Sequence, residues 1–249
     1  MKLTFLGTAA GLPRKNAKCS SAMLEVGGKY YVFDTGATVV NKLVDMDKTI
    51  EDIKAVFITH CHADHLLGII DLIRCVNIPK IFTRASIDYY LPENSVINAI
   101  DDYFNTLMGG INKELNRIHN FTEGLVYSDE NVKVSAIATA HMRILDRPSY
   151  AFAVECEGKR VLFSGDLSQH LKFDDFPKVA YTDQFDAIVC EGAHFDFETI
   201  APVLKKCKTK TVYFNHMKQP NIPIVESENS SGDYPFQMVV VNDGDSFEF

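Results

Sequence analysis

The chain has 249 residues, of which 46% are hydrophobic and 23% charged, enough apolar side chain for a sizeable core in one domain spanning 1–249 and too much for a disordered chain. A formal net charge of -8 excludes the global basic field that draws proteins to nucleic acid or anionic membrane, so any nucleic-acid substrate would need a local basic patch. The six cysteines, Cys19, Cys61, Cys75, Cys156, Cys190 and Cys207, are widely and irregularly spaced with no C-x-x-C pair, which excludes a zinc ribbon and a disulfide framework and suits a reducing cytosol.

In chain order, "KLTFLG" alternates as a strand, and Gly7 and Gly11 mark a loop. Arg14, Lys15 and Lys18 follow this apolar run instead of preceding it, so it reads as strand and loop rather than as a signal peptide. No apolar run approaches the ~18 residues that span a bilayer, and a soluble cytoplasmic protein is expected. "SAMLEVGGKYYVFDTG" reads as two strands about the Gly27-Gly28 turn, closing on Asp34. "IKAVFITH" is a buried strand running into His60, and "LLGIIDLIRCV" has helical apolar spacing.

Over 86–120, Val96, Ile100, Phe104, Leu107, Ile111, Leu115 and Ile118 recur at helical intervals interrupted by Gly109-Gly110. This predicts two helices packed on the body, with Tyr89, Tyr90 or Tyr103 as candidates to cover a crevice. Further strands end on polar residues: "VKVSAIATAH" on His141, "KRVLFSGD" on Asp166, "DAIVCEGAH" on Glu191 and His194, and "KTVYFNH" on His216. "FQMVVVNDGDSFEF" predicts a terminal hairpin turning at Asp243-Gly244. His119 and His170 carry no motif and read as surface residues.

The densest feature is "THCHADHLLG", three histidines and an aspartate within six residues at a strand end. A metal site needs ligands that project from rigid elements into one crevice, and loops at strand ends supply that geometry. His60 and His62 can turn toward one ion while Asp64 and His65 face a second, with His141, Asp166 and His216 delivered by other strands. Asp166 follows a tight Ser164-Gly165 bend and has two oxygens with which to bridge. A structural zinc is normally four-coordinate, closed and cysteine-rich, whereas seven His/Asp candidates suit two metals with open positions. Cys61, inside the motif, reads as a small buried residue.

The H-x-H-x-D-H motif, His141, "SGD" with Asp166 and "FNH" with His216 resemble, in the same order, the metallo-β-lactamase-fold hydrolases. That resemblance implies a four-layer αββα sandwich of the α/β (α+β) class with a dinuclear site along the edge between its sheets. It implies His60, His62 and His141 on one ion, Asp64, His65 and His216 on the other, and Asp166 between them. Zinc is the first expectation for the two divalent ions, with manganese or iron as alternatives. Asp34 in "FDTG" is similar to the family's carboxylate that holds a ligand loop, with a turn aspartate as the competing reading.

"TFLGTAAGLP", "CSSAMLEVGGKYYVFDTG", "RPSYAFAVE" and "NDGDSFEF" resemble the ribonuclease Z-like branch, which also contains cyclic-nucleotide and other phosphodiesterases. The chain lacks a long Gly/Pro-rich basic insertion like that branch's tRNA-binding arm, so a small phosphodiester is favoured over nucleic acid. The candidate catalytic residues are Asp64, His194 and Glu191, with His194 protonating the leaving group and Glu191 orienting it. Arg143 and Arg147, or Arg14, Lys15 and Lys18, are candidates to bind phosphate. Hydrolysis of a lactone, thioester or other carbonyl ester, and a non-catalytic metal-stabilised binding scaffold, are the alternatives. No membrane partner is expected, and a homodimer is.

Overall fold

The computed structural model describes residues 1–77 and 85–249. The apolar strands seen in the sequence form two sheets of seven strands each among the described residues. One takes β1 (Lys2–Gly7), β2 (Ser21–Val26), β3 (Lys29–Phe33), β4 (Ile53–Phe57), β5 (Ile87–Leu91), β6 (Asn116–Asn120) and β14 (Ser246–Glu248), in the order β14-β1-β2-β3-β4-β5-β6. The other takes β7 (Gly124–Ser128), β8 (Val132–Ala138), β9 (Tyr150–Cys156), β10 (Lys159–Phe163), β11 (Phe185–Gly192), β12 (Thr209–Met217) and β13 (Gln237–Val240), in the order β13-β12-β11-β10-β9-β8-β7.

Strands such as β4 and β11 are apolar on both faces because each face meets a different layer. In β4, Ala55 and Phe57 join the core between the sheets, whereas Ile53 and Val56 join a core beneath helices. β11 repeats this, with Ala187 and Val189 between the sheets and Ile188 and Cys190 on the helical side. At the centre Phe33 of the first sheet stacks on Phe163 of the second with ring centroids 4.1 Å apart.

On the first sheet's outer face α1 (Val39–Asp45), the short α2 (Ala63–Leu66), α3 (Gly68–Asn77) and α4 (Asn94–Met108) follow one another. Leu43, Ile69, Leu72, Ile73, Ile100 and Phe104 pack from this layer against Val32, Val56 and Tyr89. Phe104 is fully buried, and truncating such a ring to alanine costs about 3–5 kcal/mol. On the second sheet α5 (Val179–Thr182), α6 (Phe197–Leu204) and α7 (Ile222–Ser231) supply Ala180, Ile200, Leu204 and Val225 against Leu162, Ile188 and Val212. The result is the expected αββα sandwich. No helix among the described residues is long and apolar enough to cross a membrane.

Two sequence expectations need correction. The second helix predicted within 86–120 is absent: Gly109 closes α4 in the left-handed conformation (φ 75°), and Ile118 lies on strand β6. Residues at 111, 115 and 118 are too few to separate a 3.6-residue period from a two-residue one. Tyr89 is fully buried under α4 and Tyr90 stacks on Phe57 at 5.3 Å, so both are packing residues; Tyr103 is exposed on α4. The terminal segment is not a hairpin. β13 runs parallel to β12, and β14 crosses to pair antiparallel with β1 of the other sheet. The Asp243-Gly244 bend exists, but Thr8 Oγ1, the Lys18 amide and Lys42 Nζ all bind the Asp243 carboxylate and direct the chain across.

Candidate metal centre

The candidate ligands all leave the carboxyl ends of strands. β4 delivers His60 two residues after Ile58, and α2 begins at once, so that His62 is its N-cap and Asp64 and His65 lie in its only turn. β8 leads to His141, β10 to Asp166, and β11 to Glu191. His216 lies within β12 at a β-bulge: Glu191 pairs with Asn215 and Gly192 with Met217, leaving His216 as the extra residue with φ 51°. Such a bulge re-aims the side chain that carries it. Backbones crowd here, because a Cβ on Gly36 would lie 1.7 Å from the Asp64 carbonyl oxygen. Gly165 takes φ 58°, and a Cβ there would lie 2.5 Å from the Tyr150 carbonyl oxygen.

Asp166 is the hub. Its Oδ2 lies 3.4 Å from Nε2 of His65 and of His216, and 3.8 Å from Nε2 of His60 and of His141. Around it the side chains fall into overlapping groups able to hold a cation, among them His60, His62 and His141, and Asp64, His65 and His216, each with ligand atoms within 4.8 Å of one another. Burial, followed by repulsion among the rings, pushes His60 well below the ordinary imidazole range; burial likewise lowers His62 and His141. A neutral ring is the form that binds metal. Burial also opposes charge on His65, but Asp166 and Asp34 overcome it and raise its pKa.

The arrangement passes a test of fit to metal. His65 Nε2 and Asp166 Oδ1 are buried with no hydrogen-bond partner among the described residues. A buried ring nitrogen facing carboxylates without bonding them is costly in a protein that binds nothing there. Ring nitrogens and carboxylate oxygens suit zinc, manganese or iron. Asp34, also at φ 59°, supports the set from behind: one oxygen accepts from the Thr59 amide at 2.8 Å, and the other meets His65 Nδ1 at 2.7 Å. That bond leaves His65 Nε2 to face the hub.

Glu191 is buried and organises the next loop. Its Oε1 meets His194 Nδ1 at 3.0 Å and accepts from the Leu167 amide, while Oε2 accepts from the Ala193 and His194 amides. His194 is 22% exposed, packs against His141 with centroids 4.5 Å apart, and lies 3.8 Å from Asp166. Burial lowers its pKa, but the Glu191 hydrogen bond and charge outweigh this and raise it.

The phosphate-binding candidates separate. Arg147 is tied to Glu93 and Arg143 lies over the Phe173 ring at 4.7 Å. Arg14 and Lys15 pair with no carboxylate among the described residues, and their loop reaches the centre because the Gly11 amide donates to Asp64 Oδ2 at 3.1 Å. His119 is at the surface, its side chain 41% exposed, where it meets Asp88 at 2.8 Å and stacks on Tyr90. His170 is exposed.

Sequence reasoning missed two bracing carboxylates, Glu93 and Asp175. Asp175 accepts from the amides of Ala140 and Ser168 and from Ser168 Oγ, tying the loop before His141 to the loop after Asp166. No local pattern marks either residue.

A family model described as "Anti-Pycsar protein Apyc1" matches residues 1–221. Among curated proteins the chain is 32% identical over 167 residues to ribonuclease Z of Shouchella clausii, covering 64% of this chain and 49% of that one. It is 30% identical over 145 residues to ribonuclease Z of a Cyanothece species, covering 57% and 43%. The chain spans about half the length of these relatives. Human tRNase Z, short form, superposes with a TM-score of 0.76 at 20% identity, covering 100% of this chain and 99% of that one. The metallo-β-lactamase fold protein YhfI from Bacillus subtilis does so with 0.77 at 16%, covering 100% and 99%. A diphosphatase of the PhnP family gives 0.71 at 19%, covering 100% and 97%. With a family match over most of its length and this common architecture, the chain belongs to the Anti-Pycsar protein Apyc1 family and has the metallo-β-lactamase fold.

Proposed function

We propose that the chain is a metal-dependent hydrolase of a small phosphodiester. The observation that carries this reading is the convergence of His60, His62, Asp64, His65, His141 and His216 on Asp166, with the His194–Glu191 pair beside it. His60, His62 and His141 would hold one divalent ion and Asp64, His65 and His216 a second, with Asp166 between them. When bound, such a pair supplies Lewis acidity, which lowers the pKa of water toward ~7 and offsets charge that builds on phosphoryl oxygens.

The chain's own residues do the rest. Glu191 fixes the His194 ring through Nδ1, leaving Nε2 to carry a proton to the departing ester oxygen. The Gly11 amide bonds one oxygen of Asp64 and so limits how that carboxylate can rotate. Arg14 and Lys15 on the same loop are cations without carboxylate partners among the described residues, which favours a phosphorus ester over a neutral carbonyl ester. The ribonuclease Z name of the relatives supports the same bond class. The ribonuclease likeness also counts toward RNA, against the preference for a smaller ester drawn from composition.

The test is a parallel assay of purified protein, its bound metal counted, on a chromogenic phosphodiester, a cyclic nucleotide, a short RNA, a lactone and a thioester. Cleavage of the small phosphodiesters is expected. Cleavage of the carbonyl compounds alone overturns the reading, and metal binding with no hydrolysis makes the protein a scaffold.

A further inference from the structure

Glu93 stands at the N-cap of α4 without capping it, because its side chain accepts no hydrogen bond from the helix. N-cap residues that act as caps are short, and this one is long and turned inward. Its carboxylate is only 8% exposed. Arg147 grips it with both arms of the guanidinium, Nε to Oε2 at 2.9 Å and the terminal nitrogen to Oε1 at 2.8 Å. Cys61 is buried, and the Glu93 charge adds to burial in pushing its thiol up, which puts it beside the same carboxylate.

The placement of these partners gives the contact its meaning. Cys61 is the residue between His60 and His62, and Arg147 closes the short loop that His141 opens. One buried carboxylate therefore grips the segment that follows His141 and lies beside the one that carries His60 and His62. Asp34 stands in the corresponding relation to the other side, through His65. We infer that Glu93, through Arg147 and Cys61, is the positioning residue for the His60, His62 and His141 metal site, as Asp34 is for the His65 side. A planar two-bond fork fixes both distance and orientation, which a single ammonium contact does not.

The inference rests on the metal assignment above but not on the substrate, so its test reads metal binding directly. Chelator-stripped protein is titrated with zinc against a chromophoric chelator, with the thermal midpoint of the stripped form measured alongside. Arg147→Met and Glu93→Gln should each weaken one binding step by about 10–100-fold and leave the other unchanged, as loss of a ligand-orienting partner does elsewhere. Combining the two should add little to either alone. Arg147→Lys keeps the charge without the fork and should recover part of the loss. Cys61→Ala should weaken the same step less than Arg147→Met.

Unchanged affinity in Arg147→Met overturns the inference. So does weakening of both steps in proportion to a lower thermal midpoint of the stripped protein, which marks Glu93 as a general stabiliser. Arg147 is 34% exposed at its side chain, so its variants carry the test if Glu93→Gln does not fold. Parent protein that binds one ion refutes the two-ion reading while the variant's shift still tests Glu93; parent protein that binds none overturns both.

Discussion

Asp34→Asn separates orientation of a ligand from the ligand itself. Asp34 accepts hydrogen bonds from opposite directions, from Thr59 N–H at 2.8 Å through Oδ1 and from the His65 ring through Oδ2 at 2.7 Å, and is 5% exposed. Asparagine fits the space and tolerates the left-handed backbone at φ 59°, but it offers one acceptor and one donor. With its oxygen toward Thr59, its NH2 faces His65 Nδ1 and forces the ring proton onto Nε2, the nitrogen that faces Asp166. With its oxygen toward His65, the Thr59 amide is orphaned in the core. The second arrangement leaves a buried donor unpaired, worth about 1–3 kcal/mol, or roughly 2–12 °C of thermal midpoint in the stripped protein for a chain of this size, whereas the first keeps both contacts and instead protonates the nitrogen that a metal needs. Metal affinity should fall about 10–100-fold in one step. The assay is the zinc titration above, with calorimetry of the stripped form. Parent-like affinity in the variant would refute the argument that Asp34 sets the His65 tautomer.

Four other outcomes follow from the same geometry. His194→Ala should lower turnover about 10²–10⁴-fold with metal content unchanged in elemental analysis, and equal turnover removes its acid role. Stripping the metal should lower the thermal midpoint, and zinc restored to a hundredfold excess over its dissociation constant should recover about 2.7 kcal/mol per site. Gly36→Ala should give insoluble protein or a midpoint lower by more than ~10 °C, because its Cβ would meet backbone at Asp64 that cannot move without His65. Burial raises the Asp88 pKa, but the Arg117 fork and His119 outweigh this and hold it below the usual carboxylate range. Its stabilisation is therefore present above about pH 4 and lost as pH falls through the lower folded value; denaturant midpoints between pH 5 and 2 should fall less steeply in Asp88→Asn.

The layers were legible because strands buried on both faces are unmistakable in "IKAVFITH" and "DAIVCEGAH". The candidate ligands were legible because their residue types are expensive to place at the end of an apolar strand for any lesser reason. What was hidden depends on contacts across the chain. Arg147 read as a phosphate clamp because nothing near it in sequence shows Glu93, 54 residues away. The bulge that turns His216 toward Asp166 leaves no mark in "FNHM", since it exists only relative to β11. Ile111, Leu115 and Ile118 fitted a helix by spacing alone, and Gly109-Gly110 was the better guide.

The pairing of β14 with β1 bears on how the molecule is made. One edge of β1 is covered by β14, far along the chain, and His216 is likewise remote in sequence from His60. Until β14 docks that edge is uncovered, and the set of candidate ligands is incomplete until β12 brings His216 to Asp166. Closing a loop of that length is slow and leaves that edge open to other chains meanwhile. Truncation at Asp243 would make this transient exposure permanent.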